Sequence, residues 1–143
     1  MRIQNFRHTG IVVTDMIRSL QFYRDLLGFK IQIDRVESGE YISLLLALPK
    51  GRVHIVKLSS PDGVLIELLQ FLSHPEESSF PGVTPIGCSH IALSVSNIDE
   101  IYEEYREKGV TFLSVPVVSP DNFAKVVYCR DPDGSFVELV QEL

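Results

Sequence analysis

The sequence lacks the features that mark several classes of protein. It has two cysteines, Cys88 and Cys129, each alone in an apolar segment, which predicts small core residues rather than a disulfide. No basic run occurs, and 13 Lys and Arg against 19 Asp and Glu give a net charge of −6, which argues against a nucleic-acid partner. No apolar stretch reaches membrane-spanning length, and no signal-peptide core follows the first residues. We therefore expect a cytoplasmic protein without nucleic-acid or membrane partners.

One phrase occurs twice in the sequence. Residues 61–70 read PDGVLIELLQ, and residues 132–141 read PDGSFVELVQ. In each copy an Asp-Gly turn opens an apolar strand that is interrupted by a single glutamate, Glu67 or Glu138. A lone buried carboxylate is unfavourable unless it is paired or bound to a metal. Two such carboxylates in the same frame predict a shared function.

A second repeated phrase supplies partners for these carboxylates. Residues 8–15 (HTGIVVTD) match residues 90–97 (HIALSVSN), so each copy opens with a histidine, His8 or His90. The histidines stand 82 positions apart and the glutamates 71, which makes the first copy 11 residues longer. Two imidazoles and two carboxylates are a plausible ligand set for one divalent ion. The absence of sulfur ligands leaves nickel, cobalt, zinc, manganese and iron open.

The pattern predicts two β-α-β-β-β modules. We expect one domain over residues 1–143, with module 1 at 1–72, a linker at 73–85 and module 2 at 86–143. The expected strands are 6–13, 29–37, 53–59, the strand of Glu67, 88–95, 110–113, 123–130 and 135–141. The expected helices are 16–27, 98–108 and a short one within 41–48, which accommodates the 11 extra residues.

The alternation of residues in the opening strands places small residues beside the histidines. Gly10 shares the face of His8, and Ala92 shares the face of His90, while the opposite faces are branched and apolar. Small residues there leave room for a metal and a substrate. His54 and His74 have no counterparts in the other copy, and we do not expect them to be ligands.

The order His8, Glu67, His90, Glu138 on duplicated modules resembles the vicinal oxygen chelate superfamily, which includes glyoxalases, bleomycin resistance proteins and dioxygenases. Residues 19–29 (SLQFYRDLLGF) and 131–134 (DPDG) extend the resemblance over essentially the whole chain. It implies an α+β fold in which duplicated β-α-β-β-β modules form a curved, half-open mixed sheet around a metal cleft. It also implies a homodimer.

Within this superfamily, the four ligands look most like those of bacterial lactoylglutathione lyases. The resemblance then implies a divalent-metal-dependent lyase or isomerase that moves a proton next to a carbonyl through a metal-bound enediolate. Glu138 is the first choice as base, and Glu67 is the symmetric alternative. The substrate would be a small carbonyl compound or thioester. Val12 and Phe71, however, stand where those enzymes carry an arginine and an asparagine, which leaves the substrate open.

Three alternatives remain at this point. The phrases around His8 and His90 also look like methylmalonyl-CoA epimerase, which racemises an acyl-CoA. An extradiol-type dioxygenase would use two histidines and one glutamate on iron, and the extra Glu67 argues against it. A non-enzymatic drug-binding resistance protein would generally have lost the ligands, and all four are present here.

Overall fold

The computed structural model describes residues 2–79 and 82–143. Two compact units make up the chain, Met1–Ser78 and Ser79–Leu143, and each contains one copy of the repeat. The predicted linker at 73–85 includes Phe80 and Pro81, which lie outside the described residues, as does Met1 at the start of module 1. The assignment of residues 1–143 to one domain stays a prediction.

The first unit contains one mixed four-stranded sheet. Its strands lie in the order β1-β4-β3-β2, with β1 parallel to β4 and the other pairs antiparallel. The elements are β1 (Thr9–Val12), α1 (Met16–Leu20, continued by a π-helical segment over Gln21–Leu26), β2 (Lys30–Ser38), α2 (Glu40–Leu45), β3 (Arg52–Ser59) and β4 (Leu65–Phe71).

The second unit repeats this topology, and within residues 82–143 it has no counterpart of α2. Its sheet has the order β5-β8-β7-β6, again with the first pair parallel and the others antiparallel. The elements are β5 (His90–Ser94), α3 (Ile98–Glu107), β6 (Val117–Val118), β7 (Ala124–Arg130) and β8 (Phe136–Glu142). The predicted α+β class and the duplicated module are confirmed, and α2 occupies the extra residues of the first copy.

Residues at equivalent positions of the two copies begin the main helix of each unit. Asp15 and Asn97 are the N-caps, and their side chains accept hydrogen bonds from the backbone three residues on, at 3.2 and 3.3 Å. Gln70 and Gln141, near the ends of β4 and β8, accept hydrogen bonds from the first amides of α1 and α3, at 2.8 and 2.9 Å. The glutamine that ends each repeated phrase therefore ties the last strand of its unit to the helix.

One face of each sheet forms the core under the helix. Alternate residues of the two central strands point into it, because side chains of a strand alternate between faces. On this face the buried strand residues are Val56, Leu58, Ile66 and Leu68 in the first unit and Val127, Cys129, Val137 and Leu139 in the second. The intervening residues, Glu67 and Glu138 among them, occupy the opposite face. In the described residues no helix is long and apolar enough to cross a membrane.

The predicted strand at 110–113 is wrong in extent. Only Phe112 forms a bridge there, to Cys129, and the edge of the sheet is instead β6 at Val117–Val118. Hydrogen bonds from Leu113 to Tyr128 and from Arg130 to the carbonyl of Thr111 show that the segment begins to pair with β7. Pro116 has no amide proton to donate, so it suits a break between two short stretches of pairing.

Candidate metal centre

The first predicted pair, His8 and Glu67, is brought together by the parallel strands. Gly10 of β1 is the register partner of Glu67 on β4, and His8 lies two residues earlier, on the same face. Nε2 of His8 is 3.5 Å from Oε2 of Glu67, and the glutamate side chain is only 14% exposed. The imidazole and the carboxylate are thus neighbours on a half-buried sheet face.

The second pair, His90 and Glu138, has the same construction. Ala92 of β5 is the register partner of Glu138 on β8, and His90 again lies two residues earlier. Nε2 of His90 is 3.1 Å from Oε2 of Glu138, whose side chain is 21% exposed. The duplication in sequence therefore produces the same side-chain geometry twice.

Small residues keep the space beside each pair open. Gly10 and Ala92 occupy equivalent positions, each opposite a glutamate. A Cβ atom added at Gly10 would meet Cδ1 of Leu69 at 3.4 Å, an ordinary contact, and Gly10 has no left-handed backbone conformation that would require glycine. The position accepts a methyl group, as the second copy shows, whereas a larger side chain would fill the space next to the ligands.

A third residue, not predicted from the sequence, joins each pair. Lys57 on β3 is the register partner of Glu67, and its Nζ is 3.5 Å from the same Oε2 that faces His8. Tyr128 on β7 is the register partner of Glu138. Lys57 and Tyr128 occupy equivalent positions of the two copies, 71 residues apart as the glutamates are, but they differ in type, so the repeated phrases do not mark them.

Tyr128 contacts both members of the second pair. Its hydroxyl is 3.3 Å from Nε2 of His90, and the two rings meet edge to face with centroids 5.1 Å apart. Partial burial raises the pKa of Tyr128, and the negative charge of Glu138 and a hydrogen bond to it raise this pKa further. The phenol therefore stays neutral over the ordinary pH range.

The far end of the face that carries Glu67 is apolar. Ile42 of α2 packs on Val53 and Ile55 of β3 in a buried cluster, and Leu69 and Phe71 of β4 pack against it. The inserted helix α2 thus covers one end of this face. His8, Glu67 and Lys57 lie beyond it.

The two remaining histidines lie away from these pairs. His54 is on the other face of β3 from Lys57, and its Nε2 is 2.7 Å from Oδ1 of Asp34. His74 lies after β4, with a positive φ of 54°. Neither was predicted to be a ligand.

The donor atoms of each pair suit a first-row divalent ion. Ligands about 2.1 Å from one ion stand about 3.0–3.4 Å apart at neighbouring octahedral or tetrahedral positions. The nitrogen–oxygen separations of 3.5 and 3.1 Å are close to that range. Across residues 2–79 and 82–143, no group of three or more His, Cys, Asp or Glu side chains is close enough to hold a metal. The predicted four-ligand set is thus present as two pairs, and its convergence on one ion stays a prediction.

Comparisons with known proteins agree with this architecture. The chain is 30% identical to the lactoylglutathione lyase of Schizosaccharomyces pombe, with 99% of this chain covered and 49% of the yeast protein, so it spans about half that relative's length. It is 31% identical to the lactoylglutathione lyase of Escherichia coli O157:H7, over 94% of this chain and 90% of that enzyme.

A solved structure and a family description extend the likeness to the whole chain. A glyoxalase family protein from Bacillus cereus superposes with a TM-score of 0.90 at 24% identity, with 100% of this chain and 97% of the other covered, which shows the fold. The family described as Glyoxalase/Bleomycin resistance protein/Dioxygenase superfamily matches residues 5–139. The resemblance inferred from His8, Glu67, His90 and Glu138 is confirmed, and the chain belongs to the glyoxalase/bleomycin resistance protein/dioxygenase superfamily.

Proposed function

We propose that the protein is a divalent-metal-dependent lyase or isomerase that transfers a proton next to a carbonyl group, as a lactoylglutathione lyase would. His8, Glu67, His90 and Glu138 are the proposed ligands of one ion per chain. The observation that carries the proposal is the identical register of the two His–Glu pairs, each with a small residue opposite the glutamate. A purely structural ion pair would not need to be duplicated in this detail.

The superfamily and the named relatives support an enzyme. When bound, a divalent ion supplies the Lewis acidity that acidifies a C–H bond beside a carbonyl. His8 and His90 each present a nitrogen donor beside a carboxylate. The glutamates provide oxygen donors, and one of them is required to take up the proton and return it.

Glu138 is the better placed of the two glutamates to move the proton. Its register partner is the neutral phenol of Tyr128, and its side chain is the more exposed of the two. Glu67 faces the ammonium of Lys57, which competes for the same carboxylate oxygen. We therefore assign the base to Glu138 and a ligand role to Glu67.

Metal analysis tests the ligand set. Purified wild-type protein is expected to contain one divalent ion per chain, and His90→Ala is expected to lose it. The His54→Ala variant is the matched control, because His54 pairs with Asp34 on the other sheet face and should leave the metal content unchanged. Full metal content in His90→Ala would reject this site.

Solvent deuterium exchange, followed by NMR with metal-loaded protein, tests the reaction. Exchange into an α-hydroxy thiohemiacetal would support the lactoylglutathione lyase-like reaction. No exchange into any carbonyl substrate of a panel, together with cleavage of a catechol under iron and oxygen, would reject proton transfer in favour of a dioxygenase.

A methylmalonyl-CoA epimerase-like reaction is the second candidate, and the environment of Phe71 favours it. The resemblance to bacterial lactoylglutathione lyases calls for polar residues at positions 12 and 71 to hold glutathione. Val12 is apolar, and Phe71 packs against the cluster around Ile42. Exchange into a 2-methyl-branched acyl-CoA, without exchange into the thiohemiacetal, would select this alternative.

We also propose that the protein is a homodimer, as the resemblance implies. Each sheet has two edge strands, and the short edge strand β6 exposes both of its valines, Val117 and Val118. Sedimentation at micromolar concentration is expected to give a dimer. A monomer would reject the proposal.

A further inference from the structure

Lys57 is the residue beside the first pair that the proposed chemistry leaves without a role. It lies on β3 directly across from Glu67, and its side chain is only 17% exposed. Its Nζ and Nε2 of His8 are each 3.5 Å from Oε2 of Glu67. Oε2 of Glu67 therefore lies between the imidazole of His8, a proposed metal ligand, and the ammonium of Lys57.

The ammonium of Lys57 is only loosely held by this carboxylate. A direct charge-assisted hydrogen bond to a carboxylate spans about 2.7–2.9 Å, shorter than the distance to Glu67. Within the described residues, Lys57 makes no other hydrogen bond or ion pair from its side chain. Among the described residues, Glu67 is therefore the ion-pair partner of Lys57, and the ammonium has N–H donors that can bind another acceptor.

Metal binding would remove that balance. If Glu67 ligates a divalent ion, its negative charge is shared with the ion, and the half-buried ammonium is left beside a second positive charge. Like charges at short range repel, and a partly buried charge without a counter-charge is unfavourable. An anionic group bound beside Lys57 would reduce the repulsion between the ammonium and the ion, and it would also give the partly buried ammonium a counter-charge.

The second copy lacks this cation. Tyr128 occupies the position equivalent to Lys57, across from Glu138, and a phenol carries no positive charge. The positive charge is therefore a feature of the first pair rather than a general requirement of the repeat. A feature present in one copy only suits one end of an asymmetric ligand.

We propose that Lys57 is the anion-binding residue of this site and that the substrate is a small 2-oxo acid, or a close relative with a carboxylate beside the carbonyl. Neighbouring strands lie about 4.8 Å apart, so an anion at Lys57 would be close to a carbonyl polarised beside Glu67. The choice of substrate rests on the proposed proton transfer next to a carbonyl and not on its lactoylglutathione lyase-like form, whose thiohemiacetal has no carboxylate beside the carbonyl. The anion-binding property depends only on Lys57 and Glu67.

The first test uses the metal-free protein and the Glu67→Gln variant, which removes the counter-charge of Lys57 with little change in size. Pyruvate and its uncharged analogue methyl pyruvate are titrated and followed by NMR. Glu67→Gln is expected to bind pyruvate about tenfold more tightly than the wild type does, and to show no such gain for methyl pyruvate. The double variant Glu67→Gln/Lys57→Met is expected to lose the gain.

The second test measures the affinity for Co²⁺ with and without pyruvate, by competition with a chelator. Lys57→Met is expected to bind Co²⁺ about tenfold more tightly than the wild type, because a neighbouring cation is gone. Pyruvate is expected to tighten Co²⁺ binding by about tenfold in the wild type and by much less in Lys57→Met. The control is Lys125→Met, since Lys125 is ion-paired with Asp99 and should leave both affinities unchanged.

The two tests separate the inference from the proposed function. Pyruvate binding that is no tighter in Glu67→Gln than in the wild type, or a gain that persists in Glu67→Gln/Lys57→Met, would overturn the role of Lys57. If the metal-free results are as expected but none of the proteins binds Co²⁺, the proposed metal-dependent function fails and the anion site of Lys57 stands. An unchanged Co²⁺ affinity in Lys57→Met, with metal bound normally, would overturn the coupling between Lys57 and the ion.

Discussion

The two units share a histidine and a glutamate in the same register but differ in the residue across from the glutamate. The first copy places the cation Lys57 there, and the second places the neutral Tyr128. Duplicated features are those that both copies need, which supports a ligand role for the two pairs. Features that differ are where the copies can specialise, and this difference supports the proposals of anion binding in the first unit and proton transfer in the second.

A second difference lies in the turn that precedes the glutamate strand. In the second copy Asp131 is buried, and its Oδ1 accepts hydrogen bonds from the amides of Asp133 and Ser135, both at 2.9 Å. The first copy has Ser60 at the equivalent position, half-buried, with an Oγ that accepts from the amide of Val64 at 3.0 Å. The turn is therefore held more firmly in the second unit, which carries the proposed base.

The largest expected effect comes from exchanging the glutamates for glutamine. Glu138→Gln removes the proposed base but retains an oxygen donor, so the rate of the metal-loaded enzyme is expected to fall by about 10²-fold or more. Steady-state kinetics on the substrate found by deuterium exchange measures this loss, with metal content determined in parallel. Glu67→Gln is the matched comparison, and a larger loss of rate in that variant at full metal content would move the base to the first unit.

The turns are expected to differ in stability. Asp131→Ala leaves two backbone amides without their carboxylate acceptor in a buried turn, and the free energy of unfolding is expected to fall by about 2–3 kcal/mol. Ser60→Ala removes a neutral hydroxyl that accepts from the amide of Val64 and donates to Asp62 in a half-buried turn, and a loss of about 1 kcal/mol or less is expected. Urea unfolding of the two variants measures both values. Equal losses would show that the buried carboxylate of Asp131 stabilises its turn no more than the hydroxyl of Ser60 does.

The cores of the two units are expected to differ at alkaline pH. Burial, followed by the negative charge of Asp131, raises the pKa of Cys129 to about 12, whereas the equivalent residue of the first unit, Leu58, does not ionise. Because the folded protein holds this proton more firmly than the unfolded chain does, the stabilisation is complete below the ordinary thiol pKa and is lost as the pH rises towards 12. Between pH 8 and 10 the wild type is expected to lose about 1–2 kcal/mol more than Cys129→Val does.

Urea unfolding at several pH values measures this difference, and the comparison with Cys129→Val cancels the other groups that titrate. Parallel losses in the two proteins would contradict the raised pKa of Cys129. The second cysteine, Cys88, is half-buried and gives an internal check, because it should react with a thiol reagent at pH 8 in the folded protein while Cys129 does not.

Much of the fold and the two pairs could be predicted because strands alternate with a strict period of two. Alternation predicts that Gly10 lies beside His8 and Ala92 beside His90, and the repetition of His8 and Glu67 as His90 and Glu138 predicts that the four residues act together. The place of Lys57 across from Glu67 could not be predicted in this way. Pairing partners depend on register, which a single strand does not specify.

The edge of the second sheet was harder to predict. Residues 110–113 have the composition of a strand, and nothing local shows that the pairing stops after one bridge at Phe112. The strand that does form, β6, is two residues long and follows Pro116, too short to give any periodic pattern. In contrast, α2 could be predicted because the duplicated copy shows which residues are extra.

The parallel pairing of the first and last strands in each unit has a consequence for folding order. Gly10 meets Glu67 across 57 positions of chain, and Ala92 meets Glu138 across 46, whereas the hairpins between them close over short turns. Contacts that close long loops lose more chain entropy and generally form late. We therefore expect each histidine to meet its glutamate late in the folding of its unit. On a ribosome, the first pair can form before the second unit has been synthesised.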